Sequence, residues 1–153
     1  MTKPLRDQMP TYQEKFLTYL HDKQLNVTRQ RLQIADLFFA QEGHHTLDEL
    51  YSLVKQRDPS VGQTTIYRTL KLLSEAGLAH ELQFGDGITR FEPVRSYNAH
   101  HDHIICQKCG ATAEIKSNSL ENMQKKLVAE TGYILLGHAH YMYGICPECQ
   151  AKT

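Results

Sequence analysis

A chain of 153 residues, 41% hydrophobic and 22% charged, carries enough apolar side chain for a core and has room for one medium domain or two small ones, which excludes a disordered tail or a fibre. Lysine plus arginine equals aspartate plus glutamate at 17 each, and residues 1–92 hold 11 basic and 12 acidic side chains, so bulk charge argues for no polyanionic partner and any positive surface must be local. No apolar run approaches the roughly 20 residues that span a bilayer, and Met1–Pro10 lacks the apolar segment of a signal peptide, so the expectation is a cytoplasmic protein with no membrane partner.

The first clear helix start is the hydroxyl N-cap Thr28. Leu32, Ala35 and Phe39 follow at spacings of three and four, which predicts an amphipathic helix over 29–41. Thr46-Leu47-Asp48-Glu49 fits a capping box, and Leu47, Leu50, Tyr51 and Val54 supply the buried stripe of a second helix that stops before Pro59. A third helix is predicted from about Gly62 to Ala76. Ile66, Leu70 and Leu73 form its apolar face, and Gly77 sits where a left-handed C-terminal residue is preferred. Thr64, Thr65, Tyr67, Arg68 and Lys71 fall on the opposite face, a mixture able to meet phosphates and base edges. Most surface helices carry such residues without touching DNA, and periodicity alone says which face is exposed but not what it meets.

Leu78–Phe84 and Ile88–Glu92 flank Gly85-Asp86-Gly87, a glycine-rich turn that suggests a hairpin. Three short helices followed by a hairpin is the plan of a winged helix-turn-helix. Residues 93–99 show little periodicity and read as a hinge between a first domain, 1–92, and a second, 100–153. The composition changes there: five of the nine histidines and all four cysteines lie from residue 100 onward. The second domain reads as small and α+β, with a strand at His103–Cys106, a helix near Leu120–Glu130 ending at Gly132, and a strand near Tyr133–Tyr143.

Cys106-Gln107-Lys108-Cys109 and Cys146-Pro147-Glu148-Cys149 are two C-x-x-C pairs, each able to present two thiolates to one metal from a tight turn; together they predict a closed, structural zinc site. Disulfides are disfavoured in a cytoplasm, and redox pairs come singly and near a βαβ unit. His100-His101-Asp102-His103 is a second dense cluster, whose imidazoles and carboxylate suit first-row divalent metals. Strand alternation would send His101 and His103 one way and His100 and Asp102 the other, so one segment can serve two sites. His44, Glu92, Glu114, Glu121, His138 and His140 are further candidate ligands that only a fold can assemble. No H-E-x-x-H, G-x-S-x-G or phosphate-cradling glycine loop is present, so neither a metallohydrolase nor any other enzyme is expected. A zinc-ribbon adaptor for protein partners is a third reading, one that leaves the Tyr67-Arg68 helix and the hairpin without a purpose.

Residues from about Leu25 to Cys149 resemble the ferric uptake regulator superfamily, most nearly its iron-responsive branch. The resemblance is carried by Thr28-Arg29-Gln30-Arg31, Thr65-Ile66-Tyr67-Arg68-Thr69-Leu70, His100-His101-Asp102-His103-Ile104-Ile105-Cys106 and Tyr143-Gly144-Ile145-Cys146-Pro147-Glu148-Cys149. It implies a winged-helix domain joined by a hinge to a small α/β dimerisation domain with the Cys₄ zinc, and a homodimer, or a tetramer, that represses transcription from palindromic double-stranded operator DNA. It implies a regulatory metal held by His44, Glu92, His101, His103 and Glu114, and a further site made of His100, Asp102, Glu121 and His138. It strengthens DNA contact by Thr64, Thr65, Tyr67, Arg68 and Lys71, with Arg29 and Lys71 positioned for the phosphate backbone. His140 matches no part of the family's pattern. Zinc-sensing members tend to carry Cys near the position of Glu92, and peroxide-sensing members Asp at the positions of Glu92 and Glu114; neither is seen here. An oxygen-and-nitrogen ligand set suits Fe²⁺ or Mn²⁺ better than a thiolate site would, although Zn²⁺ can compete in vitro.

Overall fold

Hydroxyl side chains start most of the long helices. In the computed structural model, which describes residues 10–95 and 101–152, the hydroxyls of Thr11, Thr28 and Thr46 each accept a hydrogen bond at 3.2 Å, from the backbone N–H of Glu14, Arg31 and Glu49. Glu14 and Glu49 return the bond to the backbone of Thr11 and Thr46, completing two capping boxes. These caps open α1 (Tyr12–Asp22), α2 (Arg29–Phe39) and α3 (Leu47–Arg57).

A fourth helix, α4 (Gln63–Glu75), begins at Gly62 without a side-chain cap. It ends in a motif that closes two orphan carbonyls: Gly77, at φ +70°, donates to Ser74 O at 3.0 Å and Leu78 donates to Leu73 O at 2.8 Å. Leu73 and Leu78 are both buried, the apolar contact that accompanies this cap.

The chain divides into two units, Met1–Arg95 and Ser96–Thr153. In the first, three strands follow or interrupt the helices: β1 (His45–Thr46), β2 (Ala79–Gln83) and β3 (Thr89–Pro93), in the order β1-β3-β2 and antiparallel throughout. Ile66, Leu70 and Leu73 of α4 are wholly inaccessible and pack with Phe16, Leu20, Ile34, Phe38, Leu50, Val54 and Phe91. Each such side chain contributes roughly 1.5–3 kcal/mol on burial. The expected three helices are therefore four. α1 shows a weak stripe, since only Phe16 and Leu20 are buried on it. The hairpin is also wider than expected, because His45 and Thr46 add a short edge strand opposite Phe91 and Arg90. Pro93, read from sequence as the first hinge residue, is the last residue of β3.

The second unit contains β4 (Asp102–Cys106), β5 (Thr112–Ile115), α5 (Asn118–Glu130), β6 (Tyr141–Gly144) and α6 (Pro147–Ala151). Its sheet has the order β5-β4-β6, with β5 antiparallel and β6 parallel to the central strand. The strand expected near Tyr133–Tyr143 is corrected to Tyr141–Gly144. The parallel ladder runs only from His103↔Tyr141 to Cys106↔Gly144, so residues 133–140 have no strand to pair with and carry no regular structure. No residue of α5 is buried. Met123 and Leu127 on that helix, and Tyr133, Ile134 and Leu136 after it, are 55–97% exposed. No described helix is long and apolar enough to cross a membrane. His100 and residues 96–99 of the expected hinge lie outside the described residues.

Candidate metal centre and nucleic-acid interface

Because α4 buries Ile66, Leu70 and Leu73, its other face is turned outward by the helical period. Thr64, Tyr67 and Arg68 are exposed, Thr65 and Lys71 half-exposed, and Arg29 at the start of α2 is exposed. Tyr67 shows 45% of its surface. Lys71 is not a free cation: its ammonium donates to Glu81 Oε2 of β2 at 2.7 Å, and Glu81 is the main reason its pKa is raised. Glu81 was not legible as part of this face, since its strand is joined to α4 only through a turn.

The wing turn is similarly self-neutralised. Asp86 receives two bonds from the Arg90 guanidinium, at 2.7 and 3.1 Å, and one from Ile88 N at 3.0 Å. The Arg90 contact, then the backbone one, pulls its carboxyl down to about 2.

The four cysteines converge through the parallel ladder. Cys106 ends β4 opposite Gly144, which brings Cys146, the N-cap of α6, back to the first pair. Between Cys106 and Cys109 the chain folds into a tight knuckle, with Gly110 N donating to Cys106 O and Cys106 N to Ala111 O, both at 2.8 Å; Gly110 sits at φ +74°. The four Sγ atoms lie within 4.8 Å of one another, and Cys109 Sγ is 3.6 Å from Cys146 Sγ. Four thiolates at about 2.3 Å from a tetrahedral zinc would be about 3.8 Å apart. All four cysteines are free of disulfides. The set therefore fits zinc.

Its thiols are unequal. Cys106 is pulled down to about 6, first by the Cys146 backbone N–H donating to its sulfur at 3.3 Å. Hydrogen bonding with the Cys146 and Cys109 thiols pushes Cys149 up to about 12. A cation among them removes the reason for any of the four to stay protonated.

The candidate imidazole and carboxylate ligands fall into smaller groups. In the first unit His44 Nε2 lies 3.5 Å from the buried Glu92 Oε2, and the His44 ring meets Phe84 edge-on at 5.5 Å. In the second unit the rings of His101 and His103 are 4.7 Å apart, Glu114 Oε1 is 3.7 Å from His101 Nε2, and Glu114 stands opposite His103 in the β4–β5 ladder. Asp102, Glu121 and His138 form a separate group whose ligand atoms lie within 4.8 Å of one another; His138 Nε2 is 3.3 Å from Glu121 Oε1. The buried Asp102 Oδ1 accepts no hydrogen bond, a costly condition for a carboxylate oxygen and one that a cation would relieve. The chemistry of the donors and this orphaned atom fit a divalent metal. His140 Nδ1, 3.3 Å from Asp102 Oδ2, is a neighbour that sequence spacing could not assign, because the pairing of β6 with β4 creates it.

A winged helix-turn-helix unit followed by a small sheet unit rich in metal-capable side chains defines the class of fold. The sequence pattern of the Ferric uptake regulator family matches residues 22–143, and the chain belongs to that family. It is 39% identical over 142 residues to the Ferric uptake regulation protein of Neisseria meningitidis serogroup A, a match covering 91% of this chain and 97% of that one. The solved structure of the Helicobacter pylori ferric uptake regulator, described as revealing three functional metal binding sites, superposes with a TM-score of 0.79 at 25% identity, covering 95% of this chain and 97% of that chain. The Francisella tularensis regulator, solved with iron, matches with a TM-score of 0.70 at 30% identity over 82% of this chain and 95% of that chain.

Proposed function

We propose that this protein is a cytoplasmic, dimeric repressor that grips palindromic operator DNA when Fe²⁺ or Mn²⁺ binds at the hinge, and so controls genes of metal uptake. The observation that carries the reading is the coupling, in one chain, of a helix with an outward Thr64, Tyr67 and Arg68 to a second unit built around metal ligands. Tyr67 is suited to thymine methyls and Arg68 to guanine or phosphate, with Arg29 and Lys71 on the backbone. Dimerisation is supported by the bare apolar side of α5 and by Tyr133, Ile134 and Leu136, surface that a second copy would cover.

The regulatory metal would take His44 and Glu92 from the first unit and His101, His103 and Glu114 from the second. Neither the two donors on one side nor the three on the other make the full set. A ligand set divided in this way binds best when both parts are correctly placed, so by linkage the metal favours that placement by as much as its affinity differs between arrangements. Cys106, Cys109, Cys146 and Cys149 would hold zinc permanently, and the group of Asp102, Glu121 and His138, with His100, a further ion. The relatives' names and the iron-bound neighbour support iron for the regulatory site. Its oxygen and nitrogen donors agree with Fe²⁺ or Mn²⁺.

The test is an anaerobic titration of the zinc-loaded protein with Fe²⁺ or Mn²⁺ against duplexes enriched by the protein from a random pool, read by fluorescence anisotropy at fixed salt. Affinity should rise with metal, and Arg68→Ala and Tyr67→Ala should each weaken it. An affinity that no divalent metal changes refutes the regulatory reading; wild-type binding by both variants refutes the assignment of α4.

A further inference from the structure

The loop of residues 40–44, which delivers His44 to Glu92, is held from outside itself. α2 has no basic residue in its last turn, so it offers no cation of its own to the last four carbonyls, which a helix leaves without intrahelical partners at the negative end of its dipole. Three of them find donors close by. Asp36 O accepts from Ala40 N and Phe38 O from Gln41 N, both at 3.1 Å, and Leu37 O accepts from the Gln41 side chain at 3.2 Å. The fourth, Phe39 O, accepts from the Arg95 guanidinium, whose Nη2 also donates to Gln41 O at 2.5 Å. Arg95 lies past the end of β3, just beyond Glu92, and Val94 N, donating to Leu78 O at 3.0 Å, fixes the backbone from which it reaches. One strand end thus supplies both Glu92 and the arm that fastens the loop.

Two fastenings therefore bracket His44. Before it is the hold of Arg95 on Phe39 and Gln41; after it, His45 pairs with Phe91 of β3, and the His45 Nε2–H donates to Glu42 O at 2.8 Å. We infer that Arg95 is a positioning residue for the regulatory metal: by tying the 40–44 loop to the strand that carries Glu92, it keeps the His44 imidazole in ligating position, Nε2 3.5 Å from Glu92 Oε2, before an ion arrives. The inference rests on the proposed reading of His44 and Glu92 as ligands. An ion that met a loose loop would have to order it at the expense of its own affinity, because an apparent dissociation constant rises in inverse proportion to the fraction of molecules with the site in place. A loop that holds His44 correctly about a tenth of the time therefore weakens binding about tenfold. A guanidinium suits the task, since one of its planar nitrogens presents two N–H groups in fixed directions, one for each carbonyl.

The experiment uses full-length protein with its Cys₄ zinc in place and a His138→Ala background, which removes the group of Asp102, Glu121 and His138. Mn²⁺ affinity is measured anaerobically by chelator competition for the parent, Arg95→Met, Arg95→Lys, His44→Ala and the Arg95→Met/His44→Ala pair, with thermal melts to confirm that each is folded. Arg95→Met should bind Mn²⁺ about tenfold more weakly, and Arg95→Lys, which keeps a cation and its donors, should recover part of the loss. Once His44 is absent, Arg95→Met should cost nothing further. A purely structural role lowers affinity equally with and without His44, and that additivity overturns the inference. If His44→Ala weakens Mn²⁺ binding while Arg95→Met leaves it unchanged, the regulatory site stands and the inference falls. If His44→Ala changes nothing, the reading of the site falls with it. The metal-free parent supplies a measurement that needs no variant to fold: backbone ¹⁵N order parameters of residues 40–44 should match those of α2, about 0.85, and values below about 0.6 show a loose loop and overturn the inference.

Discussion

Replacing Glu81 with Gln should tighten DNA binding, although Glu81, a carboxylate, is itself no ligand for a phosphate. In the free protein Lys71 Nζ sits 2.7 Å from Glu81 Oε2, with the two side chains 37% and 32% exposed. A partly exposed pair of this kind contributes about 0.2–1 kcal/mol. Before Lys71 can meet a phosphate it must give up that much, and the carboxylate left behind repels the same phosphate. Since about 1.4 kcal/mol is tenfold in affinity, Glu81→Gln should lower Kd by about 1.4-fold to fivefold for each protomer, and cost folding stability no more than about 1 kcal/mol. Lys71→Gln should instead weaken binding and reduce the slope of log K against log salt by about 0.9 for each phosphate that Lys71 neutralises. Anisotropy titrations of the four members of the Lys71/Glu81 double-mutant cycle over a salt series measure both effects. An unchanged or weaker affinity in Glu81→Gln refutes the argument. So does an equal gain in the Lys71→Gln background, which would mean that removal of a negative charge, and not release of Lys71, is responsible.

Cys106→Ser should lose the tightly held zinc and the fold of the second unit together, because binding energy at a closed thiolate site is largely folding energy; elemental analysis with circular dichroism checks this, and a zinc-free but folded variant contradicts it. Glu92→Ala or His101→Ala should leave the Cys₄ zinc and dimer mass unchanged while abolishing the gain in DNA affinity caused by Mn²⁺, and a normal Mn²⁺ response in both would return these residues to an ordinary structural role. Tyr12, whose hydroxyl donates to Asp36 at 2.8 Å, is raised from 10.0 to about 12, first by burial and then by that bond. A folded pKa above the unfolded one means that its contribution is complete below about pH 10 and lost as pH rises toward about 12. Denaturant midpoints should therefore fall more steeply across that window in wild type than in Tyr12→Phe, and parallel curves would show that the phenol titrates normally.

Local chemistry made much of this protein legible. Thr28, Thr46 and Gly77 mark helix ends because their side chains, or the lack of one, decide where orphan backbone groups find partners. Ile66, Leu70 and Leu73 reveal the buried side of α4 because helical periodicity is a local property. α1 was harder to see: two buried residues among eleven leave little periodic signal. The strand expected from Tyr133 fails for a different reason, since strand formation before Tyr141 needs a partner that β4 does not extend far enough to offer.

The sequence by itself determined which residues have side chains suited to metal: two C-x-x-C turns and a His-rich segment before them carry thiols and imidazoles able to ligate an ion. Tertiary structure alone decided who meets whom. Parallel pairing of β4 with β6 joins cysteines 40 residues apart, as in the Cys146 N–H to Cys106 Sγ bond, and sets His140 against Asp102. The packing of β2 against α4 ties Lys71 to Glu81. Ligand identity is written in side-chain type and short spacing, whereas these partnerships depend on strand register and helix packing. Both are fixed by burial and hydrogen bonding summed over the unit, so no window of neighbouring residues contains them.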